Sequence, residues 1–477
     1  MNFFHYLQNK IGPAEFTKWS LRAAALWLLA VYPLLLWFSP GVLPSLIKPA
    51  GHLDFYQYYS GAVVVRERIW DSLYATPKWD VYNAPNHFVP AYRTFLFDPA
   101  FASRNLAFYP EYNTLEGSDR PPKLKAVFPQ GDASPEGPVY SYVYPPPTAL
   151  LCSPLALVNF DCAANRLWPT AAALFLFFLT FFASRIYRIL QGGAASYGEG
   201  LVALACLVFS TRGETTIISG NVNPILGGCV ACCCYSLLRS RMLAFSCAYI
   251  PLIIFKPIGL AWLPLLVLGR KYGRALIYLT AITLILNGIV MAAAGIKVYR
   301  DFLSICPLLS IPVGHGLVPT LLRNFGFYPH LLYTILNLAG LGLLYYGYLK
   351  NGEKGWALNA SRPPIILAAF LAGTLALVCL FNNVSWPAYG SNFLFFPLLG
   401  WMLHEGNLAT GAWRTTIRAV TLLSFLILVG TGFWYLLFGK ATITFFIFDL
   451  LFPYEGIIVP LFFLLIALRR LLIAPER

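Results

Sequence analysis

Residues 242–268 read MLAFSCAYIPLIIFKPIGLAWLPLLVL, an apolar run with Lys256-Pro257 near its middle. Arg239 and Arg241 precede it, and Arg270, Lys271 and Arg274 follow. Short loops rich in Lys and Arg stay on the cytoplasmic side of a membrane. A single crossing would carry one of these basic loops to the other side. Two short helices that meet at Lys256-Pro257 keep both inside. Proline breaks a helix here, because it lacks an N–H and its ring clashes with the preceding turn. Irregular backbone at membrane depth is tolerated where it lines a cavity in the protein. The run is therefore expected to enter, turn at Lys256-Pro257 and return.

The same reasoning extends along the whole chain. The 477 residues are 58% hydrophobic and 11% charged, against about a quarter charged in a soluble protein. Apolar segments recur from Leu21 almost to the C-terminus, each near the length that crosses a hydrocarbon core of ~30 Å. An alternating β-barrel pattern is absent. The fold class expected is an all-α polytopic membrane protein, one integral domain over residues 1–477. The net charge of +14 reads as topology and not as a nucleic-acid footprint. The ten cysteines lie mostly in apolar segments, as small residues packed between helices. Cys229 and Cys232 match a CxxC spacing but lack a polar, zinc-like setting, so no disulfide framework is expected. Residues 21–38 lack a small-x-small cleavage site after them and are read as the first span, not as a signal peptide.

With the basic clusters held on the cytoplasmic side, the segments between them pair off as outward and returning helices. Spans are expected at residues 21–38, 162–186, 202–210, 225–238, 242–255, 258–268, 275–294, 328–348, 364–381, 391–403, 420–437 and 444–468. That makes about twelve, with both termini cytoplasmic. Residues 1–20 form a cytoplasmic N-terminal segment. Residues 48–161 form a long first extracytoplasmic loop, and residues 295–327 a second. Within the first, YPPPTALLCSPLALV at 144–158 is too short and proline-rich for a span and is expected as a juxtamembrane or re-entrant helix.

This layout sorts the unusual polar residues to one side. His52 and Asp54 follow the first span in AGHLDFYQYYSGA, residues 50–62. Arg212, Glu214, Asn221 and Asn223 lie at a second outer apex and Lys256 at a third. His315 and Arg323 lie in the 295–327 loop, and Asn382, Asn383, Ser385 and Trp386 at a further apex. Ionisable groups close to a membrane are costly and are functional candidates by default. Ordinary readings stand beside that one. Asp54 is a carboxylate paired with Arg66. Lys256 snorkels to the headgroups, and Arg323 binds their phosphates. Arg212 and Glu214 form a structural ion pair. His315, between two glycines, marks a turn. The tyrosines and Trp386 form an aromatic belt. GNVNP, residues 220–224, is a turn because Gly, Asn and Pro favour one.

One chemistry unites the functional readings. A lipid-linked sugar phosphate keeps its tail in the bilayer, so its phosphate sits at the membrane boundary. Lys256 and Arg323 would neutralise that phosphate, increasingly as the leaving group gains charge. Asp54 would take the proton of an acceptor hydroxyl as it attacks. Tyr58, Tyr59 and Trp386 offer faces for sugar rings. The loop bearing His315 would close over the donor and exclude water. His52, Tyr144, Asn221, Asn223 and Ser385 complete the expected lining.

LDFYQYY, YPPPTALLCSPLALV, GNVNPILGG, FKPIGLAWLPLLVLGRKYGRA and NNVSWPAYGSNFLFFPLL occur in this order. Together they resemble the GT-C polytopic glycosyltransferases. The nearest branch is glycosyltransferase family eighty-seven, which includes polyprenyl-phosphate-mannose-dependent mannosyltransferases. The resemblance runs from about Ala50 to Leu399. It implies the GT-C fold, an inverting single displacement, and an active site on the outer side of the plasma (inner) membrane. It implies a polyprenyl-phosphate sugar donor, mannose first, and a glycan or glycolipid acceptor. It maps the general base onto Asp54 and the donor-phosphate lysine onto Lys256. The family's GQxN-like turn is Gly220-Asn221-Val222-Asn223 here, with Asn for Gln. Its SW-x-H-like turn is Ser385-Trp386-Pro387-Ala388-Tyr389, with Tyr389 near the usual histidine. The long insertion at 75–138 suits recognition of an unusual acceptor. No acidic cluster demands a metal, and no cofactor is expected.

Two other readings fit a polytopic chain: a lipid-linked sugar transporter or flippase, and a non-catalytic subunit of a glycan-assembly complex. The gathering of polar residues at one face, without an internal repeat, weighs against transport. Failure to bind polyprenyl-phosphate sugars would favour the subunit.

Overall fold

Prolines and left-handed turns set where the helices of this chain begin and end. The computed structural model describes residues 53–70, 73–74, 144–158, 162–190, 220–255, 257–268, 272–309, 329–353, 363–381, 405, 409–421, 423 and 458–472, and every element among them is helical. The expected spans at 21–38, 202–210, 391–403 and most of 420–437 lie outside the described residues.

Helix α1 runs Leu53–Glu67. Asp54 thus sits in its first turn, where the helix dipole favours a carboxylate. The helix closes on Arg68 in the left-handed region, φ 59°. There the Arg68 N–H bonds Val65 O at 3.2 Å and the Ile69 N–H bonds Val64 O at 3.1 Å, the crossed bonds that satisfy the last carbonyls. Arg66 lies about 18 Å along the axis from Asp54 by helical rise, a separation no direct ion pair spans. Its guanidinium instead meets Glu67 at 2.8 Å and the Ala156 carbonyl at 2.9 Å. The pairing with Asp54 that the sequence allowed is therefore ruled out by the helix.

Helix α2, Pro146–Cys152, continues into a 3-10 turn, Ser153–Leu157. Pro146 and Pro147 are accommodated because the first N–H groups of a helix have no intrahelical partner to lose. Seven residues cannot cross a bilayer. α1 packs along this segment, and the Tyr59 hydroxyl donates to Val158 O at 2.8 Å.

Helix α3, Trp168–Leu190, follows a π turn at Ala163–Leu167, and helix α4 is Asn223–Leu238. A Cβ at Gly228 would fall 2.6 Å from Phe175 O. Two turns further along both helices, the rings of Phe182 and Tyr235 are 5.3 Å apart. α3 and α4 therefore run parallel, and the connection between them joins opposite ends of the pair. The glycine permits the close approach, as small residues do between membrane helices.

Helix α5, Met242–Ile254, turns back on α4 through Ser240, φ 55°. The chain then reverses. A 3-10 turn, Pro257–Trp262, and helix α6, Leu263–Leu268, follow. The Tyr249 hydroxyl donates to Gly259 O, the Tyr249 and Trp262 rings lie 6.3 Å apart, and a Cβ at Gly259 would meet Leu252 at 3.2 Å. The 3-10 turn thus folds back along the end of α5. At 13 residues, α5 is about 20 Å long, short of a full crossing.

Helix α7, Gly273–Ala294, starts beside α5, where Ser246 Oγ donates to Ala275 O at 2.9 Å. Among the described residues it is the one helix long and apolar enough to cross a membrane; several shorter apolar helices occur elsewhere among them. Gly295, φ 70°, turns the chain into helix α8, Lys297–Leu309. The 295–327 segment, expected as a loop, therefore opens with a helix. Its sequence, KVYRDFLSICPLL, is amphipathic; Lys297 pairs with Asp301 one turn on at 3.7 Å, and the Tyr299 hydroxyl donates to Asn287 Oδ1 of α7 at 2.7 Å.

Helices α9, Pro329–Tyr348, α10, Pro363–Phe381, and α11, Val459–Leu472, pack through glycines. Gly340 faces Leu377, Gly373 faces Leu344 and Ala467, and Gly347 faces Leu471. The Tyr345 hydroxyl donates to Ala261 O and ties this group to the reversal after α5.

Candidate active site

The first turns of α1 form the meeting point of segments far apart in sequence. Tyr58, one helical turn after Asp54, is fully buried. Its ring stacks on Trp168 at 4.9 Å and meets Phe255 edge-on at 5.8 Å. Its hydroxyl lies 2.7 Å from the Tyr144 hydroxyl. The Tyr144 ring also meets Phe255, at 6.3 Å. Phe255 is the residue before Lys256, so the turn carrying Asp54 and the reversal carrying Lys256 share one aromatic cluster.

Two further contacts fix this arrangement. Thr148 Oγ1 donates to Ile254 O at 3.0 Å, satisfying a carbonyl that has no helical partner at the end of α5. The Tyr74 hydroxyl donates to Tyr144 O, and the Tyr74 ring lies 5.8 Å from Phe302 of α8. One turn earlier on the same face of α1, Phe55 also packs against Trp168, at 5.4 Å, and against the backbone at Gly220. Gly220 takes a positive φ of 72°, which only glycine adopts without strain. Asn221 Oδ1 then accepts the Asn223 N–H at 2.9 Å, a side-chain turn that leads into α4.

Of the residues singled out in the sequence, Tyr58, Tyr144, Asn221 and Asn223 come together around the start of α1. Tyr59 is buried too, but its hydroxyl points to Val158. Asp54 is located by its backbone in the first turn of α1. His52, Lys256, His315, Arg323, Ser385 and Trp386 lie outside the described residues, as do Arg212 and Glu214.

Trp168, Phe255, Thr148 and Tyr74 were missed by sequence reasoning. In the sequence, Trp168 and Phe255 are apolar span residues like their neighbours, and nothing marks which face they turn to. The Trp168 indole N–H is buried and has no hydrogen-bond partner among the described residues. It is a buried donor at the edge of the cluster. In the segment opening α8, burial pushes the Tyr299 phenol up from its ordinary value, so it serves as a neutral donor and not as a base.

The arrangement is a buried aromatic cluster joining the N-terminal turn of a helix, a Gly-Asn turn and the end of α5. A family model, Glycosyltransferase family 87, matches residues 142–380, half of the chain. The match includes Tyr144, the 220–223 turn and the Lys256-Pro257 reversal. No curated protein and no solved structure matches the chain. The apolar helical architecture is consistent with a membrane protein, and the chain belongs to glycosyltransferase family 87 and is a glycosyltransferase enzyme.

Proposed function

We propose that this glycosyltransferase moves a sugar, mannose first, from a polyprenyl phosphate to an extracytoplasmic glycan or glycolipid, with inversion. The acceptor oxygen attacks the anomeric carbon. The bond from that carbon to the phosphate oxygen breaks, and its electron pair leaves with polyprenyl phosphate. Asp54 takes the acceptor's proton, which a weakly nucleophilic hydroxyl must shed as it attacks. Lys256 stabilises the charge growing on the leaving phosphate. Arg323 and His315 assist from the segment that follows α8, and Ser385, Trp386 and His52 contact the substrates.

The observation that carries this reading is the contact of Tyr58 with Phe255 at 5.8 Å. It links the helical turn of the base to the residue preceding the phosphate ligand. The parallel run of α3 and α4, and the reversal after α5, support the expected alternation of about twelve spans with both termini cytoplasmic.

The test is incubation of the purified protein with a panel of polyprenyl-phosphate sugars and an acceptor extract. Release of free polyprenyl phosphate with one sugar is expected. No release with any member would overturn the donor assignment. Cysteine labelling of positions 54 and 256 from opposite membrane surfaces would overturn the sidedness.

A further inference from the structure

We infer that Tyr144 is a positioning residue: it clamps the helix of the base to the reversal that carries the phosphate ligand. The inference rests on the proposed roles of Asp54 and Lys256 and extends them. Tyr144 opens the proline-rich segment that precedes α2, and this segment bonds both sides of the site. Toward α1, the Tyr144 hydroxyl meets the Tyr58 hydroxyl at 2.7 Å. Toward the reversal, the Tyr144 ring meets Phe255 at 6.3 Å, and Thr148, one turn on, donates to Ile254 O at 3.0 Å. A third arm reaches α8, because Tyr74 donates to Tyr144 O and packs on Phe302 at 5.8 Å.

The chemistry of these contacts favours a clamp over a substrate contact. Tyr58 is fully buried, so its hydroxyl is committed within the protein. Three consecutive prolines, Pro145 to Pro147, fix φ between Tyr144 and Thr148. The two bonding residues are therefore held at a set spacing, and α1 and the reversal move together. Misplacement of reacting groups by about 1 Å costs on the order of a hundredfold in rate, so a stiff link between base and phosphate ligand has a direct kinetic consequence.

The test is a double-mutant cycle on the full-length purified enzyme with Tyr58→Phe, Tyr144→Phe and both together. Each single change removes one member of the Tyr58–Tyr144 hydroxyl pair, whereas the double change removes both polar groups. A clamp predicts kcat about tenfold lower in each single variant, donor KM within about twofold of wild type, and a double variant no worse than either single. Losses that multiply in the double variant, or a rise in KM without a fall in kcat, would assign the hydroxyls to substrate and overturn the clamp. Amide hydrogen exchange of residues 53–60 and 254–259 gives a readout without turnover. Exchange in the two segments should quicken together in Tyr144→Phe and in Thr148→Val; quickening confined to one segment would overturn the link. The clamp thus fails or stands even if no polyprenyl-phosphate sugar is used, whereas an inactive Asp54→Asn beside a multiplicative cycle would keep the base and discard the clamp.

Discussion

Phe55 occupies the space that a side chain at Gly220 would need: a Cβ there would fall 2.3 Å from Phe55 Cβ. Gly220 also holds a φ of 72°. Gly220→Ala thus meets both strain and a clash with a helix that cannot yield without moving Asp54. Strain and overpacking of this kind cost on the order of 1–3 kcal/mol each. Gly220→Ala is expected to lower the thermal midpoint in detergent and to cut transfer at least tenfold. Wild-type activity in Gly220→Ala would show that the 220–223 turn does not set the position of α1.

Asp54→Asn keeps the shape of the residue and removes its basicity. General-base catalysis contributes about a hundredfold to ten-thousandfold, so kcat should fall by that range. Donor affinity and the thermal midpoint should change little. Full turnover in Asp54→Asn would remove the role assigned to this carboxylate.

Lys256→Gln removes the cation proposed at the donor phosphate. A hydrogen bond to a charged group contributes about 1.5–3 kcal/mol, so kcat/KM for the donor should fall roughly tenfold to a hundredfold. Acceptor KM should stay near wild type. A defect seen only in acceptor KM would move Lys256 from the donor side to the acceptor side.

Glu405 is buried and bonds Arg470 Nε at 2.6 Å, while Arg469 stacks over Trp413 at 5.3 Å. Glu405 lies beyond the span expected to end at Leu403. Burial raises its carboxyl above the ordinary range, and the two arginines oppose that rise without cancelling it. The folded chain therefore holds this proton more firmly than the unfolded chain. The resulting stabilisation is complete below the unfolded glutamate value of about 4.3 and is lost as pH rises through the higher folded value. Between pH 5 and pH 8 the wild-type thermal midpoint should fall more than that of Glu405→Gln. Arg470→Met should destabilise at pH 7 by on the order of 2 kcal/mol, at the low end because the arginine side chain is 40% exposed. Identical pH profiles for wild type and Glu405→Gln would remove the linkage.

The helix reversal after α5 was legible because charge and proline speak to it directly. Arg241 and Arg270 require an even number of crossings between them, and Pro257 marks where the chain turns. The helix inside 295–327 was less legible. Its amphipathic pattern is short, and the interaction that orients it, Tyr299 with Asn287, joins two elements that sequence spacing does not bring together. The Asp54–Arg66 pairing shows the opposite error. It was reasonable for a loop, but the helix at 53–67 sets the two residues at opposite ends.

By itself the sequence determined the helical, membrane-suited character of this chain, the place of its central reversal and its family, because composition, charge and ordered motifs act through local chemistry. Only the tertiary structure decided that Tyr144 joins Tyr58 to the residues before Lys256, and that Trp168 and Gly220 complete the same cluster. These are packing relations between helices distant in the chain. An aromatic side chain in an apolar run carries no mark of its partner until the helices assemble.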